Sequence, residues 1–155
     1  MRTRLCAAIP LVLAAVLLAA VAAVGAAAQD DAGVDRPSVV RLTTVLTGAE
    51  EAPGPGDPDG SGRATLVLLP ERGRLCYALV ARDIAPATAA HVHVGPPGEA
   101  GPVVVPLEPP ARGAAGGCVA ADPALLAAIA ADPGAYYVNV HNDEYPAGAI
   151  RGQLG

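Results

Sequence analysis

Punctuation limits this chain more than any other feature. With 18 glycines and 16 prolines, the sequence from Val39 onward is cut into short runs that leave no room for long helices. Within most runs apolar and polar or small side chains alternate, and a period of two belongs to strands, whose successive side chains point to opposite faces. Strand candidates are 39–47, 62–69, 74–84, 88–95, 102–107, 117–120, 135–142 and 147–154. In the third, Leu75, Tyr77 and Leu79 share one face and Cys76, Ala78 and Val80 the other; both are apolar, which predicts a central strand. Helical spacing occurs over 122–131, where Asp122 suits the cap, Pro123 the first turn, and Leu125, Leu126 and Ile129 form an apolar stripe before Pro133-Gly134. The expected fold is all-β: an antiparallel Greek-key-like sandwich or barrel of about seven or eight strands with one short inserted helix.

The first segment reads as an address. Arg2 and Arg4 precede an apolar run over 5–24, and Ala26-Ala27-Ala28 offers the small-residue pattern of a cleavage site. Residues 1–28 are therefore expected to be a signal peptide cut near Ala28-Gln29, with 29–38 a flexible lead-in and 39–155 the β domain. An uncleaved signal anchor is the alternative, since the run is long enough to span a bilayer, and only then is a membrane a partner. Cys6 stands at the start of the run, where a lipidated cysteine would follow it. Both routes place the domain outside the cytoplasm.

Charge then excludes one class of partner. The chain has a net charge of −5, with ten basic residues against fifteen acids and no lysine; removal of Arg2 and Arg4 makes the balance more acidic still. Phosphate backbones need basic patches, so nucleic acid is excluded. Phe and Trp are also absent, leaving an aliphatic core with four tyrosines in one small domain. Beyond the leader stand Cys76 and Cys118, which in an oxidising compartment have one way to pair.

The chemistry-bearing residues are few. All three histidines, His91, His93 and His141, stand near strand ends. His91 and His93 share one face of their strand, as Tyr137, Asn139 and His141 do of theirs. A faint echo relates the two regions: Val92-His93 followed by Gly101, Val103 and Leu107, and Val140-His141 followed by Gly148, Ile150 and Leu154. Two imidazoles at i, i+2 with a third from an adjacent strand suit a mononuclear copper or zinc site; the same imidazoles can instead hydrogen-bond backbone at the strand ends. Asp57-Pro58-Asp59-Gly60 opens like a calcium loop but lacks the later glutamate, and reads as a turn. Arg151 on the last strand is either a solvated side chain or the partner of Glu51 in a structural ion pair.

Taken in order, Leu46-Thr47-Gly48-Ala49-Glu50-Glu51-Ala52-Pro53, Gly62-Arg63-Ala64, Ala90-His91-Val92-His93-Val94-Gly95, Gly98-x-x-Gly101-Pro102-Val103, Tyr137-Val138-Asn139-Val140-His141 and Gly148-Ala149-Ile150-Arg151-Gly152-Gln153-Leu154 resemble the chordin-type (CHRD) domain over roughly 42–155. The resemblance implies a secreted all-β module with no defined enzymatic activity, and it aligns Glu51 with the family's Glu-x-Pro position. Ala149 departs from it, standing where an acid is common before Ile-Arg-Gly.

Three functions follow from this reading. The first is a secreted, non-catalytic module that binds an extracellular protein or surface ligand. Metal capture, of copper or zinc, at His91, His93 and His141 is the second. The third is chemistry like that of copper/zinc superoxide dismutase, whose copper alone takes four histidines where this chain has three. No nucleophile motif surrounds Ser38 or Ser61, so no enzyme is expected, and no organic cofactor.

Overall fold

The computed structural model describes residues 39–155; the expected signal peptide and lead-in, 1–28 and 29–38, lie outside them. The alternating runs form β1 (Val40–Thr47), β2 (Ser61–Leu69), β3 (Arg74–Arg82), β4 (Ala87–Val94), β5 (Val103–Leu107), β6 (Ala114–Ala120), β7 (Tyr136–Asn142) and β8 (Ile150–Gln153), with α1 (Pro123–Ala131) between β6 and β7. All pairings are antiparallel, and the sheet runs β5-β4-β7-β8-β1-β2-β3-β6, a nearly closed barrel. β1, β2 and β3 form a meander. The chain then crosses to the β4–β5 hairpin, returns to lay β6 beside β3, and crosses again through α1 to the β7–β8 hairpin, whose last strand meets β1. These crossovers give the Greek-key-like topology expected of the pattern.

The inward faces carry the core. Leu66 and Leu68 of β2, Leu75 and Leu79 of β3, Val92 of β4 and Val138 and Val140 of β7 are buried in one cluster with Leu126 and Ile129 of α1. The helix forms where its signals stand: the Asp122 carboxylate accepts from the amides of Ala124 and Leu125 at 2.7 and 3.1 Å, satisfying donors that the first turn leaves free. Leu125 is only half-buried, so the stripe facing the barrel is Leu126 and Ile129.

Two strands differ from expectation. β3 is buried on one face only: Leu75, Tyr77, Leu79 and Ala81 point inward, while Ala78 and Val80 are exposed, and the strand lies next to the edge strand β6 rather than at the centre. Small apolar side chains are cheap to leave in water, so an alternation of Leu with Ala and Val marks one buried face. β6 starts at Ala114, three residues before the expected 117, because Ala-Ala-Gly-Gly has no polarity pattern and is recruited by pairing with β3. Little of β6 is buried, yet Cys76 and Cys118 stand directly opposite each other in that pairing and are joined by a disulfide. A cross-link at a sequence separation of 42 stabilises by about 4 kcal/mol in the chain-entropy account, and here it holds a strand that side-chain packing holds weakly.

The Asp57 segment is a turn. The Asp59 amide donates to Asp57 Oδ1 at 3.2 Å and the Gly60 amide to the Asp57 carbonyl at 3.1 Å, so the carboxylate is occupied by its own backbone.

Candidate metal centre

Where β4, β7 and β8 lie side by side, their outward face is polar and yet buried. Register aligns His93 with Tyr137 and Gln153, and His91 with Asn139 and Arg151, while His141 lies opposite Ala89. The strands alone would leave these side chains in water. They are covered by the loop between β4 and β5, which the face itself holds down: Arg151 donates to the carbonyls of Glu99 and Pro96 at 2.8 and 2.9 Å, Gln153 Nε2 to the carbonyl of Gly95 at 2.8 Å, and the Gly101 amide to the Tyr137 hydroxyl at 3.0 Å. A Cβ at Gly101 would overlap the Val94 carbonyl, so the loop closes this tightly only with glycine there.

Inside the cover the aromatic rings are stacked. His93 lies parallel to Tyr137, centroids 4.7 Å apart and 7° between planes, and the Arg151 guanidinium carbon sits 3.4 Å from the centre of the Tyr137 ring. Arg151 is 1% exposed. A cation so desolvated needs its donors satisfied, and two carbonyls, the Gln153 side-chain oxygen at 3.1 Å and the tyrosine π-face do this.

The Glu51 relation matches neither a solvated arginine nor a hydrogen-bonded ion pair. Arg151 spends its hydrogen bonds on the cover loop and Gln153, and Glu51 Oε1 is buried without a hydrogen-bond partner. Burial pushes the Glu51 carboxyl up to about 7, against the opposing pull of the Arg151 charge, the Ala52 amide and Asn139. Glu51 lies against Gly148, where a Cβ would overlap its carboxylate. A guanidinium on a strand whose neighbours include Ile150 and Gln153 reads as solvated from sequence because nothing local announces the loop that buries it.

The three histidines converge on this face. Ring centroids are 5.4 Å apart for His91 and His93, 5.0 Å for His91 and His141, and 6.3 Å for His93 and His141. One nitrogen from each falls in a group whose members lie within 4.8 Å of one another. A backbone carbonyl fixes the tautomer of His93. Its Nδ1 lies 2.8 Å from the Gly101 carbonyl; an oxygen there accepts, so Nδ1 carries the proton and Nε2 a lone pair. His141 faces an oxygen on each side, the Pro146 carbonyl 3.1 Å from Nδ1 and Asn139 Oδ1 3.0 Å from Nε2, so its proton has an acceptor at either nitrogen. His93 Nε2 is buried without a hydrogen-bond partner. His141 Nε2 lies 3.2 Å from His91 Nδ1 and 3.0 Å from Asn139 Oδ1.

Electrostatics favour the neutral forms of His91 and His141. Burial lowers His91 below the ordinary imidazole value, and His141 and His93 beside it lower it further. Burial likewise lowers His141, against the Pro146 carbonyl, with His93 lowering it again. Two nitrogens on one ion at about 2.0–2.1 Å stand about 3.3–3.6 Å apart in tetrahedral or trigonal geometry, so the 3.2 Å between His91 and His141 is already close to a shared ligand span. The third nitrogen needs a small side-chain movement. A carbonyl behind His93 and another behind His141 form the outer-shell arrangement that orients metal ligands. His93 and His141 flank His91 rather than standing level, since β4 and β7 are antiparallel and each histidine faces its own turn.

Sequence reasoning brought forward the histidines, Glu51 and Arg151, and the structure gathers all five around β4, β7 and β8. It passed over Tyr137, Gln153 and the cover loop as parts of the site. The alternation Tyr137, Asn139, His141 carried the signal for Tyr137, whereas the loop gave none beyond its glycines.

The family comparison agrees with the motif order: the CHRD-domain model matches residues 42–154. Among curated proteins nothing matches, and no solved structure matches.

Proposed function

The chain belongs to the CHRD-domain family, and from that premise we propose that it is an extracytoplasmic, non-catalytic module that captures one transition-metal ion, copper or zinc, at His91, His93 and His141. One observation carries the reading: one nitrogen from each of three imidazoles falls within 4.8 Å of the others, and the Gly101 carbonyl holds the proton on the far nitrogen of His93, so that its Nε2 lone pair is left buried and unpartnered. Leaving a buried acceptor unsatisfied costs about 1–3 kcal/mol, and a bound cation repays that cost. The disulfide supports a location outside the cytoplasm, where such bonds persist. The non-catalytic reading rests on the lack of a fourth histidine and of an activated nucleophile.

Elemental analysis and titration of the purified chain with Zn²⁺ and with copper, beside His93→Ala, test this. Binding of one ion per chain that the variant loses is the expected result, with affinity falling below pH 6.5 as protons compete for the imidazoles. Absence of binding at neutral pH overturns the metal reading, and chelator-sensitive superoxide dismutation by the loaded protein overturns the non-catalytic one.

A further inference from the structure

The charge inventory around the histidines narrows the kind of ion. Among the described residues the ligand group contains three imidazoles and no carboxylate or thiolate, and both cysteines beyond the leader are bridged. The adjoining Asn139 oxygen, 3.0 Å from His141 Nε2, is neutral as well. Asp143 and Glu144 are exposed and stand outside the group. A fixed positive charge lies close by: Arg151 stacks on one ring, Tyr137, that itself stacks on His93, which places the guanidinium carbon within about 8 Å of the His93 ring. Glu51 is the buried acid that opposes it, and with its carboxyl pushed up to about 7 it is only partly ionised at neutral pH.

Resting on the metal-capture reading, we propose that this site holds copper as the monovalent ion, Cu(I), in preference to Cu(II) and Zn(II). The cost of desolvating an ion rises with the square of its charge, and repulsion from a fixed cation rises in proportion to it. A dication here meets a neutral donor set and a buried guanidinium that Glu51 only partly offsets, so its second charge is poorly compensated. Cu(I) has a filled d shell, carries half that charge, and is satisfied by three neutral donors. Zn²⁺ with three protein ligands adds a water and Cu(II) seeks a tetragonal set, and each needs room beside His93, which is 7% exposed.

The measurement is competitive titration of the full chain with Cu(I) under anaerobic reducing conditions against a chromophoric Cu(I) chelator, in parallel with Cu(II) and Zn(II) titrations, using free imidazole as the reference ligand. The ratio of Cu(I) to Cu(II) affinity is expected to exceed that of imidazole by about thirtyfold, the effect of one unit charge at about 8 Å and an effective dielectric of about 20, and to fall back toward it in Arg151→Gln. Wild-type protein holding Cu(II) or Zn(II) as tightly as Cu(I) overturns this proposal and leaves metal capture standing. Failure to bind any of the three ions overturns both. The wild-type ratio needs no variant to fold, and an unchanged ratio in a folded Arg151→Gln protein removes the charge argument.

Discussion

The outward face of one sheet has two fates in this molecule. Across β1, β2, β3 and β6 it carries Thr43, Val45, Arg63, Ala78, Val80 and the disulfide, mostly open to solvent; Val45 and Val80 are 55% and 38% exposed. Across β4, β7 and β8 it carries His93, Tyr137, Asn139 and Arg151, all buried. The open half mixes Thr and Arg with Val and Ala, and the covered half carries His, Tyr, Asn and Arg. Side-chain polarity alone does not separate them, so what decides burial is the loop between β4 and β5, anchored through Arg151, Gln153 and Tyr137. A covered face holds polar residues stably only when each is satisfied, which is why the two unpartnered atoms, Glu51 Oε1 and His93 Nε2, stand out there.

The contrast breaks most severely at Arg151. Arg151→Met removes donors to two covering carbonyls and the charge that offsets Glu51, and is expected to cost about 3–4 kcal/mol in urea unfolding; a loss under about 1 kcal/mol would mean the cover stands without it. Glu51→Gln comes next, read against pH. The folded carboxyl titrates near 7 and the unfolded one near 4.5, so the folded state binds more protons between these values. Its contribution is full below about 4.5 and is lost as pH rises through 7. The variant should therefore gain about 2 kcal/mol on wild type between pH 4.5 and 8. His91 and His141, lowered in the folded state, act in the opposite sense, removing stability as pH falls below about 6.5; they are common to both proteins and cancel in the difference. A difference that does not change with pH would put Glu51 outside the buried network.

Tyr137→Phe keeps the stack between His93 and Arg151 but deletes the hydroxyl that accepts from the Gly101 amide, for an expected loss of about 1 kcal/mol and faster exchange of that amide with solvent hydrogen. Unchanged exchange would show the loop held by Arg151 and Gln153 alone. Smallest is Val80→Thr on the open face, expected within about 0.5 kcal/mol of wild type in the same urea melts. A larger loss would mean that this half is covered as well.

Much of the fold was legible because it depends on local chemistry. Glycine and proline fixed where runs end, alternation fixed the strands and their inward faces, and Asp122-Pro123 fixed the start of α1. Errors fell where local pattern is silent. Ala-Ala-Gly-Gly at the start of β6 takes its conformation from its neighbour, and Ala78 and Val80 of β3 are apolar without being buried. The histidines were visible as ligand candidates by residue type and spacing. The tautomer of His93 was not, because it depends on the carbonyl of Gly101, which lies in a loop eight residues away in the chain.

By itself, then, the sequence determined the all-β class, the cysteine pair, the family and the small set of residues able to do chemistry, since these follow from residue identity and short-range periodicity. Only the tertiary structure decided that Arg151 is buried on Tyr137, that Glu51 lacks a direct partner in it, and that three imidazoles converge on one partly buried face. Each of those facts depends on strands distant in sequence and on a loop folded over them, and long-range closure leaves no trace in the local pattern.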